Sequence, residues 1–599
     1  GGRLALGDFS LLSKPQLDAH WGTRVDGNDP LHPEVAPVPK VLTGLGGLFL
    51  TDLTGDIMTA MRLPVAGAFA ATVFLLYLLA FRCYGRMGAV AAAITYALMP
   101  RVFGHAHIAA SETLLAFTVV LTVWAFLAGV AWLPAAVVAA VALAFALNTK
   151  VTAVIIPAVL LLWGLIYYRQ RISAHLFCFF FVTPLVVAAT WPFLWHNGPE
   201  RLLEYARFYL GHQKTAVFYM GRVWGYIHGE PAPWHYPLVI TALGLPEWIV
   251  VLTGIGIIRV LTEIVRRPVP VLFLMCAAAV IGIASWPAAP KYDGERLFFH
   301  AFPFLAMLAG GGMATLAAAL PPYGQTAADR ISRGWAGVFF LTLLAGWGAA
   351  DLVMWHPAHL NYFNRLIGGG RGAYERGFET SYWGEAFNEE VIEWLHDHAP
   401  PQARIKTLAL NELAVTNLQQ MGKLRGDIRL ATGDSDPDYF LLQVRQGFMG
   451  RAERALHFGM KPLKRFEARG VPRLEIHAGD ALSTAPRKTD ITTTAPAVGH
   501  LATTATDALT TPTTGTADTV ETTPTMSPIN PDADVDAPPM PAPAAPRDEP
   551  LGVLLPPVDP SRLTVPRGVV PTPTAVPSAV RPTTPTGEIK IDILPARRP

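Results

Sequence analysis

About ten hydrophobic stretches fill residues 62–355, and arginine is concentrated in every second gap between them. The stretches are 62–82, 87–103, 113–131, 134–149, 152–168, 174–195, 237–262, 269–287, 298–320 and 336–355. A helix needs about 20 mostly apolar residues to cross a bilayer, so this run predicts an α-helical polytopic membrane protein. Arg82 and Arg86 occupy the first gap, Arg169 and Arg171 the fifth. Arg259, Arg266 and Arg267 occupy the seventh, and Arg330 and Arg333 the ninth. Positive charge in short loops marks the cytoplasmic side, so the odd gaps face inward. The even gaps, residues 1–61 and everything after Trp355 then face outward. The third gap, near Trp132, has no charge and casts no vote.

The outward gaps carry the residues capable of chemistry. The region 1–61 holds Asp18, His20, Asp26, Asp29, His32, Glu34 and Lys40. The second gap holds Arg101, His105, His107 and Glu112, and the fourth holds Lys150. The sixth runs from Trp195 to Tyr236, and the eighth reads Lys291-Tyr-Asp293-Gly-Glu295-Arg296. Ionisable groups drawn into the membrane boundary need a partner or a job. The inward gaps show mainly arginine, which topology alone explains, so a site is expected on the outward face.

Composition narrows the classes. Cys83, Cys178 and Cys276 all lie in or beside hydrophobic stretches, so no disulfides are expected in the outward segments. No basic tract points to nucleic acid, and the formal charge is only +2. No phosphate-binding or dinucleotide glycine loop is present, which argues against an ATP-driven pump. An outward N-terminus needs a way across the membrane, so a missing start with a signal anchor or first span is expected upstream of Gly1.

Residues 356–480 read as an ordinary globular domain. Asn388–His398 has helical spacing, with Val391, Ile392 and Leu395 on one face. Residues 403–410 and 437–444 read as strands, and 463–468 with 472–477 as a hairpin around Gly470. Strands alternating with helices predict a small external α/β domain. From about residue 481 to 599, Thr, Pro, Ala and Asp dominate and aromatics are absent. Such a chain cannot bury enough apolar surface to offset its ordering entropy, so a disordered tail is expected. It suits a spacer, and Thr/Pro-rich segments can also carry O-linked sugars.

Several outward motifs, in order, resemble a known family. They are His32-Pro33-Glu34 with Pro39-Lys40; Pro100-Arg101-Val-Phe-Gly-His105-Ala-His107 with Glu112; and Asn148-Thr-Lys150. Pro233-Trp234-His-Tyr236 and Asp293-Gly-Glu-Arg296 with Pro303 follow, then His356-Pro, Tyr362-Phe-Asn364 and Tyr382-Trp383-Gly384. Over roughly residues 10–480 the chain resembles the GT-C type membrane glycosyltransferases related to protein O-mannosyltransferases, glycosyltransferase family 39. The resemblance implies a polyprenyl-phosphate sugar as donor, a protein or lipid acceptor on the external side, and a bacterial plasma (inner) membrane setting. Relatives place an acidic base just after their first span. That span is expected upstream of Gly1, and Asp8 and Asp18 lie only in the right broad region.

Glycosyl transfer from a phosphate passes through an oxocarbenium-like state. It needs a carboxylate to take the acceptor proton and cations to hold the departing phosphate. Glu112, Asp18 and Asp293 are the candidate catalytic carboxylates. Arg296 and Lys150 are the candidate phosphate ligands, because both stand at outward membrane boundaries and the arginine fork suits phosphate. Interfacial snorkelling is the bland account of each. His32, His105 and His107 are candidates for sugar or acceptor contacts. Trp234 and Tyr236 would stack on a sugar or anchor the chain at the interface. The histidine spacing is no zinc signature, so no metal is assigned, although a divalent metal could use such ligands. A multi-span transporter or lipid flippase is the alternative, and a scaffold presenting the external domain is a third reading. No internal repeat supports a transporter, and the charges cluster at loops, not span centres.

Overall fold

The structure is a computed structural model that describes residues 36–210, 215–225, 230–319, 327–431 and 436–484. Asp18, His32 and the Thr/Pro-rich tail lie outside the described residues. The fold class is as expected from the sequence: a helical polytopic membrane region followed by a small α/β domain.

Six helices are long and apolar enough to cross a membrane, or seven if one bent pair counts as a span. The difference from ten has four identifiable sources. Stretches 134–149 and 152–168 form the shorter apolar helices Leu133–Leu147 and Val151–Tyr167. Stretches 62–82 and 87–103 share one 41-residue element, Ile57–Ala97. Stretch 237–262 is not a straight span, because Tyr236–Gly244 and Glu247–Thr262 meet at 120°.

The 41-residue element is itself a hairpin. Gly85 has φ 72° and ψ −170°, outside any helical region. The rings of Phe69 and Tyr96 stack with centroids 5.5 Å apart. In a straight helix those residues, 27 apart, would be separated by roughly 40 Å, at 1.5 Å per residue. The chain therefore reverses at Gly85, between Arg82 and Arg86, and the two stretches run back along each other. Only glycine adopts that backbone at low cost.

The bend at Leu245–Pro246 also has a local cause. Pro246 cannot donate a hydrogen bond, so the preceding turn loses its continuation. Asn364 takes up the exposed carbonyls: its side-chain amide donates to Ala242 O (2.7 Å) and Leu245 O (2.8 Å), and its backbone N–H donates to Leu243 O (2.8 Å). Beyond the bend, helix Glu247–Thr262 packs very closely on helix Phe302–Ala319. A Cβ at Gly256 would lie 1.9 Å from Leu308 O, so this contact admits only glycine.

Within the segment read as an external loop region, Pro37–Thr54 form an 18-residue helix. Its start is tied to the fourth gap, where Val38 N donates to Asn148 O at 3.0 Å. Gly46 of that helix faces Ala60 and Pro64 across the contact.

The loops sort into two groups. Tyr84 of the first gap lines a small cavity with Arg259, Glu263 and Arg267 of the seventh. Tyr167 donates to Ile264 O, and Arg171 of the fifth gap reaches Val130 O of the uncharged third. The first, third, fifth and seventh gaps thus gather at one end, and the second, fourth and eighth meet elsewhere around Glu112, Lys150 and Arg296.

The C-terminal domain holds a mixed sheet, and a separate hairpin, β1 (Val217–Tyr219) and β2 (Arg222–Trp224), comes from the sixth gap. The sheet strands are β3 (Arg404–Leu408), β4 (Arg429–Leu430), β5 (Tyr439–Gln443), β6 (Lys464–Ala468) and β7 (Val471–Ala478), ordered β4-β3-β5-β7-β6. β3 pairs in parallel with β4 and β5, and β7 is antiparallel to β5 and β6. Helix Glu389–His398 begins at Asn388, whose side chain caps it, and buries Val391 and Leu395 against this sheet. The two strands, the helix and the hairpin read from sequence are all present. β4 and helices Glu412–Gln420 and Arg451–Gly459 are additional.

Candidate functional site

The site is assembled from four short pieces of chain. Glu112 stands in the first turn of helix Ser111–Gly129. Lys150 follows helix Leu133–Leu147 and precedes the turn Val151–Val154. Asp293, Glu295 and Arg296 come from the eighth gap, where Asp293 (φ 54°) and Gly294 (φ 62°) are successive left-handed residues. That reversal lets neighbouring side chains leave the backbone in different directions. Arg101 and His105 lie on the short helix Pro100–Ala106.

Lys150 Nζ and Arg296 Nε both sit 2.9 Å from the same oxygen, Glu112 Oε1. Lys150 also donates to the Arg296 backbone carbonyl at 3.3 Å. Arg296 Nη1 reaches Asp293 Oδ2 at 3.0 Å, and Trp383 Nε1 donates to that oxygen at 2.8 Å. The Arg296 guanidinium lies 4.5 Å over the Trp383 ring. The other oxygen, Asp293 Oδ1, is paired with Arg445 of the C-terminal domain. Arg445 in turn reaches Glu379 Oε1 at 3.3 Å. Beside this chain of ions, Arg101 Nη1 pairs with Glu295 Oε2 at 2.5 Å, and His105 Nε2 lies 3.3 Å from Glu295 Oε1.

Burial makes the arrangement costly to break. Glu112 is 1% exposed and Lys150 13%, whereas Arg296 keeps 31% of its side chain accessible. Buried charges are tolerated only when paired, and removing one partner strands the other. Burial works against the Lys150 ammonium and, with the nearby Arg296 charge, pulls its pKa below the usual lysine range, while Glu112 opposes that pull. Burial likewise disfavours charge on Glu295, but Arg101 and His105 hold its pKa down to about 2. At Glu379 burial wins: despite Arg445, and with Asp293 adding repulsion, its pKa is raised to about 8.

Glu112 Oε2 and His105 Nδ1 are buried with no hydrogen-bond partner among the described residues. All other contacts of Glu112 fall on Oε1, so Oε2 retains its acceptor capacity. Both oxygens of Asp293 are already engaged, which suits that carboxylate to orienting Arg296.

Of the residues singled out from sequence, Glu112, Lys150, Asp293, Arg296 and His105 come together. Tyr236 is buried close to them, its ring against Tyr219 and its hydroxyl within electrostatic reach of Glu295, Glu379 and Arg101. His107 is exposed and turned to its own helix, bonded to Phe103 O at 2.7 Å. Trp234 is 62% exposed and belongs to no part of the ion network. Sequence reasoning misses Arg445, Glu379 and Trp383 as site residues, although Trp383 stands in one of the outward motifs. Glu295 and Arg101 stand in such motifs too, without an assigned role. Among the described residues no three His, Cys, Asp or Glu side chains are placed to hold a metal ion.

These features define an integral membrane protein with a buried, ionic site where its even-numbered loops and its C-terminal domain meet. By sequence, residues 41–196 match the model of the family described as dolichyl-phosphate-mannose-protein mannosyltransferase, the type the motifs implied. No curated protein matches the chain in sequence. Solved structures similar to it include ArnT from Cupriavidus metallidurans bound to undecaprenyl phosphate, at 15% identity and TM-score 0.40 over 74% of this chain and 88% of that one. The same protein in the apo state matches at 16% identity and TM-score 0.43, over 80% and 93%. The Archaeoglobus fulgidus oligosaccharyltransferase in the apo form matches at 13% identity and TM-score 0.36, over 61% and 50%.

Proposed function

We propose that this protein is a membrane glycosyltransferase that moves a sugar, hexosyl or pentosyl, from a polyprenyl-phosphate donor to a protein or lipid acceptor on the external side of a bacterial plasma membrane. The observation that carries the reading is the convergence of Lys150 and Arg296 on one oxygen of Glu112. Each nitrogen is 2.9 Å from that oxygen, so the two are at most twice that distance apart, close enough for one phosphate to bridge them. In the absence of donor the carboxylate compensates the two cations. An arriving phosphate competes for them, and Glu112 is released from its partners. Its Oε2 is then the group that accepts the acceptor's proton. The sugar C1–O bond to phosphate breaks, a C1–O bond to the acceptor forms, and polyprenyl phosphate departs with the electron pair, held by Lys150 and Arg296. Asp293 orients Arg296, and His105 and Tyr236 line the sugar or acceptor side.

The test is transfer from a radiolabelled polyprenyl-phosphate monosaccharide by the protein in nanodiscs. Wild type transfers, and Arg296→Lys loses about a hundredfold, because a point charge cannot reproduce the planar fork. Near-normal turnover of Arg296→Lys would reduce Arg296 to an interfacial anchor. Single-cysteine labelling in intact cells tests the external side: positions 170 and 400 should label from opposite faces. The bent pair Tyr236–Gly244 and Glu247–Thr262 favours a transporter or flippase, since such proteins use broken helices. Movement of labelled lipid between leaflets without sugar transfer would decide for that alternative.

A further inference from the structure

The C-terminal domain holds the far end of the ion chain, and the geometry points to Arg445 as the positioning residue that sets where Arg296 can meet a lipid-linked phosphate. This rests on the glycosyltransferase reading, and it gives the α/β domain a working part in the membrane site.

Arg296 is pulled two ways, by Glu112 through Nε and by Asp293 through Nη1. Asp293 is 6% exposed, and a buried carboxylate takes whatever cation it can reach. Arg445 satisfies Asp293 Oδ1, so Asp293 needs Arg296 only at Oδ2. Arg445 is itself fixed: its guanidinium lies 3.7 Å over the Phe448 ring, and Nε reaches Glu379 Oε1 at 3.3 Å. Trp383 completes the mount by donating to Asp293 Oδ2 and stacking under Arg296. Without Arg445, Asp293 would claim both donors of the Arg296 fork and draw it from Glu112 and Lys150. The charge balance changes too. Lys150, Arg296 and Arg445 face Glu112, Asp293 and Glu379, and burial raises the pKa of Glu379, which weakens it as a counter-charge. Arg445 thus adds positive charge beside the position an anion would take.

The experiment measures binding of a polyprenyl phosphate, without sugar, to the full-length protein in nanodiscs, alongside thermal unfolding and sugar transfer. Arg445→Gln should weaken binding about tenfold or more, as expected for a lost charged contact beside an anion site. Arg445→Lys restores the charge and should recover most of the affinity. Lys423→Gln is the control for domain docking, because Lys423 ties the same domain to Asp56 at 3.0 Å, whereas Asp293 is held by Arg296, Arg445 and Trp383. It should leave binding within about twofold. A purely structural Arg445 would lower the unfolding temperature of Arg445→Gln while leaving its affinity unchanged, and that result overturns the proposal. If Arg445→Gln does not fold, Arg445→Met and Arg445→Lys decide: affinity and turnover equal to wild type in both would overturn it. Binding to wild type without sugar transfer would sink the glycosyltransferase reading and leave the Arg445 result standing. No binding to wild type at all would overturn both.

Discussion

The two groups of loops treat the same residue types in opposite ways. Where the odd gaps gather, Glu263 pairs with Arg259 and Arg267, each four residues away, at 3.3 and 2.8 Å, with all three side chains between 24% and 43% exposed. Where the even gaps meet, Glu112 pairs with Arg296 across 184 residues and Arg101 with Glu295 across 194, and the carboxylates are sealed from solvent. Local, half-wet pairs are worth a few tenths of a kcal/mol. Long-range buried pairs cost desolvation that hydrophobic packing would have avoided. The proposed function places the chemistry at this even-gap end.

Exchanging charges at the two ends should break this comparison if it is wrong. The largest effect is expected for Glu112→Gln, which keeps the volume and strands Lys150 and Arg296 without their shared carboxylate. Sugar transfer should fall by about two to three orders of magnitude, the range for removing a preorganised group in a reacting site. Turnover within tenfold of wild type would show that Glu112 is a structural counter-ion only.

A second, intermediate effect sharpens the role of the C-terminal domain. Glu379 faces Arg445 and Asp293, with Tyr382 and Tyr236 nearby. Its folded pKa is raised to about 8 against an ordinary carboxyl value of 4.5. The folded protein therefore holds a proton there that the unfolded chain has already lost. Its stabilising contribution is complete below about pH 4.5 and disappears as pH rises through about 8. The unfolding temperature should fall across that window, and Glu379→Gln should flatten the fall. A pH profile identical in wild type and Glu379→Gln would mean the carboxyl is ionised in the folded state.

The smallest effects are expected far from the network. Glu263→Gln should change transfer by less than about twofold and barely move the unfolding temperature, as exposed local pairs do. A tenfold loss would place chemistry at the odd-gap end and erase the contrast. Deleting residues 485–599 should leave transfer to an added acceptor intact, which a loss of activity in the truncated protein would refute.

Much of this contrast is legible in the amino-acid sequence. Glu112, Lys150, Asp293 and Arg296 stand out because ionisable groups beside long apolar runs need a reason to be there. The helix at 389–398 and the hairpin at Gly470 follow from local spacing and turn chemistry. Span counting is less secure: hydropathy registers apolar content but not the reversal at Gly85 or the bend that Asn364 secures from 119 to 122 residues away. Arg445 and Glu379 carry no signal at all, since they sit in ordinary globular sequence, Arg445 being 152 residues from Asp293.

The sequence alone determined the membrane class, the sorting of loops, the α/β domain and the candidate phosphate cations, because hydropathy and charge are properties of short segments. Only the tertiary structure decided that Lys150 and Arg296 share one oxygen of Glu112, that Asp293 is saturated, and that the C-terminal domain reaches the site through Arg445. Pairing between distant side chains depends on where packing brings their backbones, and in a buried site that proximity sets which charges can exist.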